Sequence, residues 1–266
     1  MDLGIAGKGC VVTGAGRGIG RDVARRLASA GAQVLLVART ASALSEAAEE
    51  CEDAGGVAVP LALDVTAPDA HARIVATAEE RFGSLDVIVN NAGDARWREV
   101  DEVPDSDWQA AWDLNVMAPM RLMRAAIPAM RERGWGRIVN VASTAGKRPS
   151  AMMPEYSVAK AAELSLSRLF ADLAAGDNVL VNAVCPGPTA SEMWLEPGGL
   201  LDQSQSASGA ASREEALRET GSKRPIGRLA HPAEIGAVIA FLCSEQASYV
   251  AGAAWSVDGG TVQVII

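Results

Sequence analysis

Short apolar segments alternate with helix-forming segments along most of this chain of 266 residues, and this alternation restricts its fold more than any other feature. The sequence predicts strands at 8–12, 33–37, 57–63, 85–90, 136–142, 178–184 and 254–257. It predicts helices at 21–30, 41–54, 68–82, 105–132, 155–175 and 231–244. Strands separated by helices pair in parallel and are covered on both faces. We therefore expect an α/β fold, with one doubly wound parallel sheet in a single domain over residues 1–266.

Residues 190–212 differ from the rest of the chain because Gly, Ser, Ala and Gln dominate them. Such a composition indicates a long mobile loop, and a region of 190–220 would then form a lid over the substrate. The chain has no internal repeat and no linker that would separate a second domain. We therefore interpret this segment as a loop within the one domain.

The composition argues against several classes of function. A net charge of -9 disfavours nucleic acid or an anionic membrane as a partner. Apolar runs such as 235–243 are too short to cross a bilayer, and residues 1–10 lack the pattern of a signal peptide, so we expect a cytoplasmic protein. The four cysteines are scattered without a C-x-x-C pair, which indicates reduced, buried thiols and no metal. Two histidines argue against histidine-based catalysis.

The segment TGAGRGIG, residues 13–20, connects the first predicted strand to the first predicted helix. Glycines at this place let backbone N–H groups approach a phosphate, and the helix dipole favours its negative charge. The segment is not a P-loop, which requires Gly-Lys-Ser/Thr. In the first βα unit it predicts a dinucleotide site. The expected contacts are Gly14, Arg17, Gly18, Ile19 and Gly20.

The end of the second strand bears on the choice of cofactor. An NAD site usually has an acid there to bind the adenosine ribose, whereas this chain has Arg39. Arg39, with Arg17, could bind a ribose 2′-phosphate, so NADP(H) is favoured and NAD(H) is possible. Alternatively, Arg39 points to solvent and the selectivity is loose. Asp64, followed by Val65 after the third strand, could accept from an adenine amine or serve as an ordinary turn or cap residue.

Tyr156 and Lys160 are four residues apart at the start of a helix-forming run, so both side chains project from one face. A neighbouring ammonium group favours the ionised form of a phenol, which makes Tyr156 a candidate proton donor. Ser143 follows a predicted strand and could hold a substrate oxygen beside the phenol. Taken alone, the pair is more typical of a solvated helix surface than of a catalytic site, and Ser143 could be an ordinary turn residue.

Taken together, these segments resemble the classical short-chain dehydrogenase/reductase family over nearly the whole chain, including members that reduce 3-oxoacyl-acyl-carrier protein. The matching segments are TGAGRGIG, Asp64-Val65, NNAG at 90–93, the asparagine of LNV at 115, Ser143, YSVAK at 156–160, CPGPTASEM at 185–193 and the stretch from GRLAHPAEIG to DGG at 227–260. The resemblance implies a Rossmann-fold oxidoreductase that transfers hydride between a nicotinamide and a carbonyl or secondary alcohol.

The resemblance also implies roles for individual residues. Tyr156 would give its proton to the substrate oxygen, Ser143 would polarise that oxygen, and Lys160 would favour the phenolate and contact the nicotinamide ribose. Asn115 would hold a proton-relay water, although it could merely bridge backbone groups to water. The remaining cofactor contacts would come from Asn91, Ala92, Gly93, Pro186, Gly187, Thr189 and Ser191. The family usually has threonine where Ser191 stands, so that contact is a departure from the pattern.

Evidence on the substrate is limited to side-chain types. Trp97 and the residues Met152, Met153, Met193 and Trp194 suggest a partly apolar pocket for a small or medium molecule. Lys147 and Arg148 could attract an anionic group of a 3-oxoacyl thioester, or form a solvated basic turn. The alternatives in function are an NAD-dependent alcohol dehydrogenase and a cofactor-sensing protein on the same fold.

The C-terminal segment 262–266 is apolar, and we expect another subunit to cover it. Since the family is commonly tetrameric, the resemblance implies a homotetramer.

Overall fold

The computed structural model describes residues 2–263, and its strands lie in one parallel sheet with the order β3-β2-β1-β4-β5-β6-β7. The strands are β1 (Gly9–Thr13), β2 (Gln33–Ala38), β3 (Val57–Ala62), β4 (Val87–Asn90), β5 (Gly136–Val141), β6 (Val179–Pro186) and β7 (Ala254–Val257). Central strands β1, β4, β5 and β6 are buried along their whole length, as expected for a sheet covered on both faces.

Helices cover both faces of the sheet. They are α1 (Gly18–Ser29), α2 (Ala41–Asp53), α3 (Ala70–Phe82), α4 (Asp105–Trp112), α5 (Ala118–Glu132), α6 (Thr144–Lys147), α7 (Pro154–Ala174), α8 (Glu192–Leu195), α9 (Leu200–Ser208), α10 (Arg213–Ser222) and α11 (Pro232–Leu242). One apolar core joins the sheet to α1, α2 and α11, and a second joins it to α3, α5 and α7. The predicted doubly wound parallel fold is therefore confirmed.

The chain reverses its direction of winding between β1 and β4, which are neighbours in the sheet. At such a switch point the loops after the two strands diverge and leave a crevice at the carboxyl edge. The glycine turn follows β1 and Asn91 follows β4, so the two segments face each other across this crevice. The topology therefore brings together residues that are far apart in sequence.

Two predicted segments differ from the structure. The region 190–212, expected to be a long loop, contains α8 and α9, and α10 follows it. The expected continuous helix 105–132 is divided by a π-helical turn, Asp113–Met117, between α4 and α5. Composition alone does not favour helices in 190–212. They are stabilised by packing, since Leu200 and Leu201 at the start of α9 are buried in an apolar cluster with Trp194 of α8.

All four cysteines are free and buried, as predicted. Burial raises the pKa of Cys185 to about 11, so this thiol packs as a small apolar group. Within residues 2–263, no helix combines the length and apolar character needed to cross a bilayer.

Candidate active site

A cleft of about 1220 Å³ opens at the carboxyl edge of the sheet. Most residues predicted for the site line it: Gly14, Arg17, Gly18, Ile19, Arg39, Asp64, Val65, Asn91, Ala92, Gly93, Ser143, Met153, Tyr156, Lys160, Pro186, Gly187, Thr189, Ser191, Met193 and Trp194. Gly20, Asn115 and Met152 are not among the lining residues. The cleft is continuous from the glycine turn to Tyr156.

The glycine turn needs glycine for two separate reasons. Gly14 and Gly18 have φ of +66° and +56°, a backbone region that residues with a Cβ rarely adopt. At Gly20, a Cβ would lie 2.3 Å from the carbonyl oxygen of Gly14. The start of α1 is thus packed directly against the turn, and its free N–H groups face the cleft.

Thr13 fixes the loop after β4 against this turn. Its buried hydroxyl oxygen accepts from the backbone N–H groups of Asn91 and Ala92, at 2.9 and 3.0 Å. The Asn91 side chain donates back to the carbonyl oxygens of Thr13 and Gly14, at 3.0 and 3.2 Å. These four hydrogen bonds hold the glycine turn and the loop after β4, which both border the cleft, in one arrangement.

Charged residues surround the end of the cleft next to β2. Arg39 is exposed and has no ion-pair partner among residues 2–263. Arg17, expected to face the same ligand group, forms a 2.8 Å ion pair with Glu196 after α8. Asp64 accepts from the Thr66 backbone and hydroxyl, which lowers its pKa. Asp64 thus makes a local turn at the edge of the cleft.

Ser143 and Tyr156 approach the middle of the cleft from β5 and α7. Ser143 follows β5 and caps α6, since its hydroxyl oxygen accepts from the Ala145 N–H at 3.1 Å. The hydroxyl hydrogen is still available to donate into the cleft. Tyr156 is half-buried in the first turn of α7, which Pro154 begins.

Lys160 is buried one turn further along α7. Its Nζ lies 5.7 Å from the centre of the Tyr156 ring and donates to the Val141 carbonyl oxygen at 2.8 Å. It also forms a 2.8 Å ion pair with Glu163, whose side chain is equally buried. Burial alone would lower the pKa of Lys160, but the carboxylate outweighs it and the pKa is raised. Burial raises the pKa of Glu163 to about 6.

Asn115 lies in the π-helical turn, a kind of widening that often marks functional sites. Its side-chain nitrogen donates to the Ala111 carbonyl oxygen at 2.8 Å, while its buried Oδ1 has no partner in the described part of the chain. A Cβ on Gly93 would lie 3.4 Å from this Oδ1 and 3.7 Å from the Nζ of Lys160. Asn115 and Lys160 therefore flank Gly93, close to the wall of the cleft.

The remaining end of the cleft is apolar. Trp194 and Leu200, from α8 and α9, form a cluster against which Trp97, Met153 and Tyr156 pack. The backbone N–H of Trp97 donates to Gln203 of α9 at 2.7 Å, which fastens the helices to the loop after β4. Of the basic pair, Arg148 lines the cleft, whereas Lys147 donates to the Ala254 carbonyl oxygen of β7.

The sequence analysis did not identify Glu163, Thr13 or the acidic residues of the α8 region. Glu163 could have been found, because a residue three after Lys160 on a helix lies on the same face. Glu192 places a buried oxygen, which has no hydrogen-bond partner among the residues described, beside the glycine turn, 3.2 Å from where a Gly18 Cβ would be. No local pattern could have predicted that contact, since it joins distant segments.

Comparison with known proteins agrees with this geometry. The family model for short chain dehydrogenases matches residues 8–197. Galactitol 2-dehydrogenase (L-tagatose-forming) from Cereibacter sphaeroides is 39% identical over 253 residues, covering 94% of this chain and 92% of the relative. The 3-oxoacyl-(acyl-carrier-protein) reductase FabG from Vibrio cholerae is 31% identical over 262 residues, covering 98% and 100%.

A solved structure is similar over the full length of both chains. L-sorbose reductase from Gluconobacter frateurii, complexed with NADPH and L-sorbose, has a TM-score of 0.92 and 36% identity to this chain. This protein therefore belongs to the short-chain dehydrogenase/reductase family and is an oxidoreductase of that class. The family resemblance stated from the sequence is confirmed.

Proposed function

We propose that this enzyme transfers hydride between NADP(H) and the carbonyl or secondary alcohol of a small to medium, partly apolar substrate. One observation carries the proposal. Ser143, Tyr156 and Lys160 line the same cleft as the glycine turn, so a proton donor lies at the far end of a dinucleotide-sized groove. Fold alone does not define a function, but this arrangement is the one that carbonyl reduction requires.

The residues present fit a nicotinamide dinucleotide. Gly14 and Gly18 form a turn without side chains at the start of α1, where backbone N–H groups would bind a pyrophosphate. Asn91 holds the opposite wall, and Gly187 and Ser191 would face the nicotinamide end. The Thr189 hydroxyl donates to the Gly187 carbonyl oxygen at 3.0 Å, so it shapes this loop as well. When bound, the nicotinamide supplies or accepts the hydride.

The chain's own residues handle the proton. In the reductive direction, Tyr156 donates its phenolic proton to the substrate oxygen, while the free hydroxyl hydrogen of Ser143 stabilises the charge that develops there. Lys160 keeps its charge because Glu163 compensates for burial, and this charge stabilises the phenolate that remains. Asn115, with its unpartnered Oδ1 beside Gly93, would hold a water near Lys160.

Preference for NADP(H) over NAD(H) is supported by Arg39. It lines the cleft at the end of β2, where a ribose 2′-phosphate would lie, and has no ion-pair partner among residues 2–263. Arg17 would need to leave Glu196 to join it. Titration of the protein with NADPH and NADH should give tighter NADPH binding that is lost in Arg39→Asp. NADH is the internal control, and equal loss of both affinities would contradict this role of Arg39.

The substrate class follows from the apolar end of the cleft. Trp97, Met153, Met193 and Trp194 surround the space beside Tyr156 and favour a molecule with an apolar part, whereas Met152 does not line the cleft. Galactitol 2-dehydrogenase and L-sorbose reductase are named for polyhydroxy compounds, so ketoses belong in the screen. A 3-oxoacyl thioester remains a candidate, with Arg148 alone of the basic pair lining the cleft.

A homotetramer remains a prediction, as does a cytoplasmic location. The expectation of subunit contact was based on the apolar segment 262–266. Residues 264–266 lie outside the described residues, and Val262 lines the cleft. Support for subunit contact comes instead from α7, on which Val158, Leu169 and Leu173 form an exposed apolar stripe. Sedimentation should give a mass above the monomer, and Leu169→Glu should reduce it.

The decisive test of the proposed function is Tyr156→Phe. We expect a loss of turnover of about 10²–10⁴-fold, because the phenol is the proton donor. NADPH affinity should change little, since the ring and the glycine turn are retained. A cofactor-sensing protein without turnover would instead bind NADPH and respond equally in both variants. Retained turnover in Tyr156→Phe would reject the mechanism.

A further inference from the structure

A small cavity lies behind the catalytic lysine, on the side away from the main cleft. Its volume is about 10 Å³, the smallest space that holds one water molecule. Glu163 lines it from α7 and His71 lines it from α3. Val65, Ala92 and Leu114 line both this cavity and the main cleft, so they form the partition between them.

Glu163 connects Lys160 to this cavity. Its Oε2 accepts from the Nζ of Lys160 at 2.8 Å, and both side chains are 2% exposed. A buried ion pair of this kind seldom stabilises a fold relative to apolar residues of similar size. The pair lies instead next to the proposed proton donor, since the Nζ of Lys160 is 5.7 Å from the centre of the Tyr156 ring.

His71 connects the cavity to solvent. The imidazole is half-buried, and its Nδ1 is buried without a hydrogen-bond partner in the described part of the chain. The other described residues that line the cavity contain no ionisable group, and only Thr13 and Asn90 among them are polar. A water in the cavity would therefore lie between the Glu163 carboxylate and the buried Nδ1 of His71.

We propose that Glu163 carries protons between Lys160 and solvent through this cavity and His71, as a second route that supplies the catalytic pair. The proposal rests on the proposed carbonyl reduction. Tyr156 loses its proton to the substrate oxygen, and Lys160 returns a proton to the phenolate and becomes an amine. A proton that His71 takes from solvent is relayed through the cavity water to the Glu163 carboxylate, and Glu163 passes it to the amine, which restores the carboxylate and the ammonium group. One proton enters from solvent for each carbonyl reduced.

The titration behaviour of Glu163 suits this role. Burial raises its pKa to about 6, so both forms of the carboxyl are accessible near neutral pH. The groups that face the pair are Tyr156 on the same helix, Cys185 of β6 and His71 of α3. Burial raises the pKa of Cys185 to about 11, so its charge does not change in this range.

The test measures the pH dependence and the solvent-deuterium isotope effect on kcat for carbonyl reduction with NADPH. We expect Glu163→Gln to lower kcat about tenfold at neutral pH, less than a group that protonates substrate directly. It should also flatten the pH profile between about pH 5 and 7. Glu163→Asp should restore the pH dependence, and His71→Gln should lower kcat with a larger isotope effect.

The matched control is Glu155→Gln, which removes another buried carboxylate of α7, paired with Arg98 at 3.2 Å rather than with the lysine. Its pH profile should keep the shape of the wild-type profile, even if its stability falls. An unchanged profile in Glu163→Gln would overturn the proposal. A normal profile in His71→Gln, with an altered one in Glu163→Gln, would overturn the route through the cavity.

A second readout needs no turnover. Carbon-13 NMR of labelled glutamate in the free protein, with Glu163→Gln used to assign the signal, should show the Glu163 carboxyl titrating near pH 6. A carboxyl that remains ionised down to pH 4.5 would overturn the carrier role. If the wild-type protein reduces no carbonyl, the proposed function fails, whereas the NMR titration still shows whether Glu163 exchanges its proton.

Discussion

Replacing Thr13 by valine tests whether the glycine turn and the loop after β4 depend on one hydroxyl group. Thr13 is 4% exposed, and its Oγ1 accepts from the backbone N–H groups of Asn91 and Ala92 at 2.9 and 3.0 Å. Valine has nearly the same shape, so no cavity forms and the loss is confined to hydrogen bonding. The variant therefore separates polar from packing effects.

The expected magnitude follows from the two donors that lose their acceptor. Each unsatisfied buried N–H costs about 1–3 kcal/mol, and both groups are only partly buried, which favours the lower half of that range. The added methyl group contributes about 0.8 kcal/mol in the opposite direction. We expect Thr13→Val to lower the free energy of unfolding by about 2 kcal/mol, or Tm by roughly 4–8 °C.

The assay is urea unfolding followed by tryptophan fluorescence at fixed protein concentration, together with NADPH titration. Thr13→Ser is the matched control, because it keeps the acceptor and loses a methyl group, at a cost of about 1 kcal/mol. NADPH affinity should fall in the valine variant and be nearly normal in the serine variant. A valine variant as stable as the serine variant, with normal NADPH affinity, would refute the reasoning.

Three further predictions concern stability. Gly20→Ala should unfold at lower urea concentration and lose NADPH binding, because its Cβ would lie 2.3 Å from the Gly14 carbonyl oxygen; normal binding would contradict that close packing. Burial raises the pKa of the Glu163 carboxyl from 4.5 to about 6, so between these pH values the folded state binds more protons than the unfolded state. The free energy of unfolding should therefore fall by about 2 kcal/mol as the pH rises through this window. Urea titrations at several pH values should show this fall in the wild type and not in Glu163→Gln. Asp86→Ala should lower the urea concentration at the unfolding midpoint, because the buried Asp86 carboxylate accepts from the Gly9 N–H at 3.1 Å. An unchanged midpoint would mean that a water molecule replaces the carboxylate as acceptor.

The sequence predicted the order of strands and helices because each central strand is a short apolar run bounded by glycine or polar residues. Strand β7 has the predicted bounds, and most other elements agree within a few residues. Helix α9 was missed because its Ser and Gln residues favour caps and turns in isolation. Leu200 and Leu201 are buried in the apolar cluster that includes Trp194, and these contacts, which no local pattern contains, stabilise α9.

Contacts within the candidate site can be predicted from the sequence only when the two residues lie close together along the chain. Lys160 and Glu163 are three residues apart, so helical geometry could have predicted their contact, although the sequence analysis did not name Glu163. Arg17 and Glu196 are 179 residues apart, and only the position of α8 over the glycine turn brings them together. The sequence analysis named Arg17 as a possible contact of a ligand phosphate, and in the structure its side chain pairs with Glu196. Because a dinucleotide would bring negative charge to this place, its binding must compete with Glu196 for Arg17, and Glu196→Gln should strengthen NADPH binding. Weaker binding in that variant would mean that the ion pair holds α8 in the position that the cofactor requires.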